Sequence, residues 1–125
     1  MKKILIIDDE PEICDSISEL LKNSGYETLA AYRGSEGYEL AVREKPDLVI
    51  LDISLPDIDG TAIYEALRKD PQTKNIRVIF LTALATGAPE QFVGIDRKDY
   101  TLLSKPVRFE IILGEIERML GTEQG

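Results

Sequence analysis

Residues 47–60 read DLVILDISLPDIDG, and this stretch decides the fold. Four consecutive apolar residues, Leu48, Val49, Ile50 and Leu51, lead into one carboxylate, Asp52, and then into a turn-forming segment with Pro56 and Gly60. A short unbroken apolar run bounded by turn signals is the pattern of a strand buried on both faces, as in a parallel sheet. Asp52 then stands where a buried strand emerges. A carboxylate at such a place says little alone, and its meaning depends on what else converges there.

Outward from this stretch the same signature recurs. Residues 4–7 form a second apolar run that ends in Asp8, Asp9 and Glu10. Pro11 suits the first turn of a helix, where its missing N–H costs nothing. Ile13, Ile17, Leu20 and Leu21 follow on one helical face, Cys14 reads as small and partly buried, and Gly25 stops the helix. Residues 26–31 read as a less apolar strand, which belongs at an edge. Gly34 and Ser35 open a second helix with Tyr38, Ala41 and Val42 on one face, ended by Pro46.

After Gly60, the spacing of Ile63, Ala66 and Leu67 marks a third helix that breaks at Asp70-Pro71. Residues 76–81 make a fourth strand that delivers Thr82 to its end. Between 83 and 98, Gly87, Pro89 and Gly94 interrupt the pattern, and a short helix is expected from about Pro89. Residues 100–103 give a fifth strand, followed by Ser104, Lys105 and Pro106. Phe109, Ile112, Leu113, Ile116 and Leu120 line a last amphipathic helix that ends at Gly121. A single domain over residues 1–121 with a loose tail at 122–125 is the expected organisation.

Composition narrows the function. With 15 basic against 23 acidic residues the formal charge is -8, and no histidine is present. An acidic surface repels nucleic-acid phosphates and anionic lipid headgroups, so neither direct nucleic-acid nor membrane binding is expected. A protein partner or a cation is favoured. One cysteine excludes an intramolecular disulfide and a cysteine-based zinc site, in keeping with a reducing cytosol. The apolar stretch near the N-terminus is too short for a signal peptide or a membrane span, so a cytoplasmic location is expected.

Strands alternating with helices imply an α/β fold, a doubly wound five-stranded parallel sheet with helices on both faces. In such sheets ligands bind beyond the carboxyl ends of the strands. That rule gathers Asp8 and Asp9 from the first strand, Asp52 from the third, Thr82 from the fourth and Lys105 after the fifth. Close carboxylates repel, and either bind protons or collect a cation. A hard, small divalent ion that keeps several waters suits so few protein ligands, which points to Mg2+. A carboxylate in such a site can attack phosphorus and become an acyl phosphate, while the cation and the lysine neutralise the equatorial oxygens.

These pieces, ILIIDDEP, DLVILDISLPDIDG, VIFLTA and LLSKP, resemble the receiver domain of two-component response regulators, in the family's order and over almost the whole chain. The resemblance implies a flavodoxin-like strand order of 2-1-3-4-5. It also implies that Asp52 accepts a phosphoryl group from a phosphohistidine on a sensor histidine kinase or phosphotransfer protein. Asp9, Asp52 and the backbone carbonyl of Ser54 would ligate Mg2+ directly, and Asp8 through water. Lys105 would contact the phosphoryl oxygens, Thr82 would swing onto them, and Lys105-Pro106 would be cis. A receiver of this kind promotes its own phosphotransfer and dephosphorylation without being an enzyme, and signals to a downstream effector. Kinases of this type grip the first helix and the loop after the last strand, here Pro11, Ile13, Asp15 and residues 106–109.

The chain departs from the family in places. Where a Tyr or Phe commonly stands three residues before the lysine, this chain has Leu102, with Tyr100 two residues earlier. The Thr82–Lys105 spacing is about one residue longer than usual, and the family's Gly-Ala before the fifth strand is not evident. An irregular helix near Pro89, and an output independent of an aromatic rotamer at 102, are expected from this. Each site residue has an ordinary alternative: Asp9 or Glu10 as a helix cap, Thr82 as a strand-end hydroxyl, Lys105 as a solvated lysine. A flavodoxin would need Ser/Thr and Gly after the first strand, and an aspartyl-phosphate phosphatase a second acid at Ser54. The remaining alternative is a receiver-fold interaction module that is never phosphorylated.

Overall fold

A computed structural model describes residues 1–83 and 100–121 of the chain. The described residues form, in chain order, β1 (Lys3–Ile7), α1 (Pro11–Asn23), β2 (Glu27–Ala31), α2 (Gly34–Glu44), β3 (Leu48–Asp52), α3 (Gly60–Lys69), β4 (Arg77–Thr82), β5 (Tyr100–Ser104) and α4 (Phe109–Leu120). The strands form one parallel sheet in the order β2-β1-β3-β4-β5. The helix expected near Pro89 and the tail at 122–125 lie outside the described residues.

Strand burial follows this order. Every residue of β3, at the centre, is buried, whereas β2 at the edge has three half-buried residues and one exposed. Side-chain alternation divides the apolar residues into two cores. Leu5, Ile7, Val49, Leu51, Val78 and Phe80 pack with Ala41 of α2 and with Ile63 and Leu67 of α3. On the opposite face Ile4, Ile6, Ile50 and Ile79 pack with Cys14, Ile17 and Leu21 of α1 and with Ile112 and Ile116 of α4. Each fully buried aliphatic side chain contributes about 1.5–3 kcal/mol by transfer from water. This stable body keeps the strand ends in place.

Two details of α1 differ from the pattern reading. Leu20 is 42% exposed, because the buried face centres on Cys14, Ile17 and Leu21, and Leu20 lies roughly 100° around the helix from Leu21. Cys14 is wholly rather than partly buried, with its Sγ 3.5 Å from the Ile6 carbonyl oxygen. Burial, with Asp8 and Asp15 nearby, pushes this thiol up to about 12, so it stays protonated and unreactive.

Just beyond their ends the strands remain tied together. Asp8 donates its N–H to Ala31, Ile53 to Leu81 and Lys105 to Thr82, the last at 2.6 Å. The residues that leave the sheet therefore keep the sheet's register. After β3 the chain turns back on itself: the Gly60 N–H reaches the Ile53 carbonyl at 3.0 Å. A Cβ at Gly60 would stand 2.6 Å from the Asp52 carbonyl oxygen and 2.9 Å from the Ile53 Cα. Backbone, unlike a flexible side chain, cannot give way cheaply. Gly60→Ala is expected to lose about 1–3 kcal/mol of stability, in the range of overpacked interiors; urea denaturation followed by circular dichroism measures it.

Candidate functional site

The carboxyl edge of the sheet brings together the residues that the sequence singles out. Asp8, wholly buried, follows β1; Asp9 beside it is exposed; Asp52 closes β3 at 5% exposure. One carboxylate oxygen from each lies within 4.8 Å of the others. Thr82 ends β4 at 1% exposure. Lys105, one residue past β5, places its Nζ 2.9 Å from Asp8 Oδ2, 3.1 Å from Glu10 Oε1 and 3.3 Å from Asp52 Oδ2. The Lys105-Pro106 bond is cis.

Local structure explains each placement. Asp8 Oδ1 accepts the Glu10 N–H at 2.9 Å, which orients the carboxylate as the chain turns from β1 into α1. Ser54 donates its N–H to Asp52 Oδ1 at 3.0 Å, and this fixes the Asp52 rotamer from the first turn after β3. Ser54 itself is exposed between buried Ile53 and Leu55. The lysine is brought in by its backbone bond to Thr82, whose Cα pairs with Ser104. Thr82 and Lys105 are thus neighbours across the ladder, although 22 residues separate them in the chain.

The capping alternative for α1 does not hold. Glu10 occupies the cap position but makes no side-chain cap bond, and its carboxylate lies on Lys105 instead. No sequence pattern signals this third carboxylate on the lysine, because Glu10 and Lys105 lie 95 positions apart. Asp59 caps α3 by accepting both the N–H and the hydroxyl of Thr61, a role that an acid directly before the helix-opening Gly60 signals.

Electrostatics makes this pocket costly. Burial pushes the Asp8 carboxyl above its usual range, opposed by the Glu10 N–H and by Lys105. Burial also pushes the Lys105 ammonium down, but Asp8, Asp52 and Glu10 together outweigh it and hold the lysine above its ordinary value. Buried Asp8 Oδ2 rests on the Lys105 ammonium at 2.9 Å, with no other hydrogen-bond partner among the described residues. A cluster of carboxylate oxygens, one of them buried and held by the lysine alone, open to water at Asp9, fits a small hard divalent cation.

The aromatic position also resolves. Tyr100 is buried edge-on against Phe80, with centroids 5.4 Å apart, and against Tyr64 at 5.9 Å. Leu102 lies opposite Phe80 in the ladder and is half-buried. Tyr100 is thus built into the core.

A parallel 2-1-3-4-5 sheet with an acidic pocket and a lysine at its carboxyl edge defines the receiver class of phosphoryl switch. The chain belongs to the response regulator receiver domain family, whose pattern it matches over residues 4–117, and it is a receiver domain of two-component response regulators. It is 39% identical over 120 residues to the DNA-binding dual master transcriptional regulator RpaA of Synechocystis, covering 96% of this chain and 49% of that protein. The chain therefore spans about half of RpaA's length. It is 34% identical over 120 residues to Protein PilH of Pseudomonas aeruginosa, covering 96% and 98% of the two chains. Among solved structures, the response regulator TrrA of Thermotoga maritima in complex with Mg2+ and BeF superposes with a TM-score of 0.79 at 30% identity, covering 96% of this chain and 100% of that one.

The raised Asp8 carboxyl has a consequence for stability. A group whose folded pKa lies above its unfolded value stabilises the fold below the unfolded value, near 3.8, and that contribution is lost as pH rises through the folded pKa. Asp8→Asn is expected to raise the thermal midpoint at pH 7 without added metal, and the difference should disappear below about pH 4. Calorimetric scans of both proteins across that range check it.

Proposed function

We propose that Asp52 is the phosphoacceptor of this receiver, working with Mg2+ held by Asp9, Asp52 and the Ser54 carbonyl, and with Asp8 acting through water. The observation that carries the reading is the convergence of Asp8, Asp9 and Asp52 around Lys105 at one sheet edge. A carboxylate oxygen of Asp52 attacks the phosphorus of a phosphohistidine. The new O–P bond forms as the N–P bond breaks, and the imidazole nitrogen keeps the electron pair and takes a proton. When bound, the cation supplies charge neutralisation at the phosphoryl oxygens. Lys105 exchanges carboxylate contacts for the incoming phosphoryl oxygens, and the Thr82 hydroxyl turns onto them. The same groups promote the later hydrolysis, so the domain times its own signal.

The partner is a sensor histidine kinase or phosphotransfer protein, and the phosphorylated form acts on a downstream effector. A groove of about 610 Å³ beside Lys105, lined by Ile13, Leu20, Pro106, Val107 and Phe109 among others, supports docking between α1 and the loop before α4. Pro11, Asp15 and Arg108 are exposed nearby. The receiver unit is assigned to residues 1–121.

Incubation with acetyl phosphate and Mg2+ is expected to give a phosphoryl adduct by mass spectrometry that Asp52→Asn abolishes. An unmodified wild-type protein would instead mark an interaction module. Mg2+ at ten times its dissociation constant should raise stability by about 1.4 kcal/mol, and chelation should reverse this; Asp9→Asn should lose most of the effect. Arg108→Glu is expected to impair transfer from a phosphorylated kinase domain while acetyl phosphate still modifies Asp52, with folding checked by circular dichroism.

A further inference from the structure

The loop between Asp52 and α3 is tied down at two places. Its far end returns to β3 through the Gly60–Ile53 bond. Its middle is held by a different element: Asp57 Oδ1 accepts the Gly34 N–H at 2.8 Å, and Asp57 Oδ2 accepts the Ser35 N–H at 3.0 Å. These are the first residues of α2, whose own preceding residue, Arg33, makes no side-chain cap bond. Asp57 therefore caps α2 from another part of the chain, and the helix dipole adds to the attraction. The two N–H groups pull its carboxyl down to about 2, so it is ionised at neutral pH.

The approach is close. A Cβ at Gly34 would stand 1.9 Å from Ile58 Cγ2 and 3.1 Å from Asp57 Oδ1, so a glycine is needed for the helix start to rest on the loop. Ile53 and Leu55 anchor the loop in the core. Between them Ser54 faces outward and hydrogen-bonds Asp52. The backbone expected to ligate the cation thus lies three residues before the carboxylate that holds this loop to α2.

We infer that Asp57 is a positioning residue for the divalent-cation site, holding the 53–59 loop against the start of α2 and so pre-orienting the Ser54 backbone beside Asp52. This rests on the cation site proposed above. Asp57 touches neither cation nor phosphoryl group; without its cap the loop samples conformations in which the Ser54 carbonyl leaves the site, and part of the binding energy goes into reordering it.

The test is calorimetric titration of the full chain with Mg2+ at pH 7, far below the melting temperature. Asp57→Ala is expected to weaken Mg2+ binding about tenfold, the low end of effects from groups that orient metal ligands. Asp57→Asn, which keeps one acceptor oxygen, should fall between it and wild type, and serves alone if the alanine variant does not fold. Ile116→Val, a change in the core beneath α4 on the opposite face of the sheet from α2 and α3, is the control for general destabilisation and should bind Mg2+ as wild type does. Unchanged affinity in the Asp57 variants, or equal weakening in the Ile116 control, overturns the inference while leaving the cation site standing. A wild-type protein that binds no Mg2+ overturns both.

Discussion

Gathering the Asp8, Asp9 and Asp52 carboxylates into one largely buried pocket is the constraint around which this molecule is built. Parallel strands all point their carboxyl ends the same way, so any acids placed after β1 and β3 are forced into one pocket. The sheet's apolar register holds them there against their mutual field. Lys105 partly compensates, reaching three carboxylates at once. The compensation is incomplete, since the Asp8 carboxyl is still pushed upward by burial. The unfavourable energy left in the pocket is what makes it attractive to a divalent cation.

Such a site needs rigid surroundings. The ladder bonds that continue one residue past β1, β3 and β5 carry the sheet's geometry into the pocket. The loop after β3 is closed by Gly60 against the strand it left and by Asp57 against α2. Both closures rely on glycines where backbone meets its neighbours more closely than a side chain would permit. Structure that looks like connection thus sets where the backbone beside Asp52 lies.

The strands β4 and β5 beside the pocket carry an aromatic cluster. Tyr100 stacks edge-on with Phe80 and Tyr64, and the Arg68 guanidinium lies 4.5 Å above the Tyr64 ring. An aromatic ring so enclosed is part of the core. The half-buried position nearer the pocket on that face belongs to Leu102, which has no ring to turn. Thr82 is joined to this side of the sheet by the Lys105 N–H on its carbonyl and by the pairing of β4 with β5.

Strand identity, the parallel sheet, the edge position of β2 and the set of strand-end residues were legible in the sequence, because apolar runs and punctuating Gly and Pro are local signals. So was the family. Burial around α1 was only partly legible: Leu20 shares the spacing of its helix face, yet among the described residues it stays exposed at the rim of that face. Contacts between distant segments were not legible at all. Glu10 on Lys105, Asp57 on the start of α2, and Tyr100 between two other rings each depend on the folded backbone bringing together residues whose separation in the chain carries no information about distance. The sequence by itself determined which chemical groups reach the carboxyl edge; only the tertiary structure decided which of them touch, because side-chain reach and close backbone approach are set by packing.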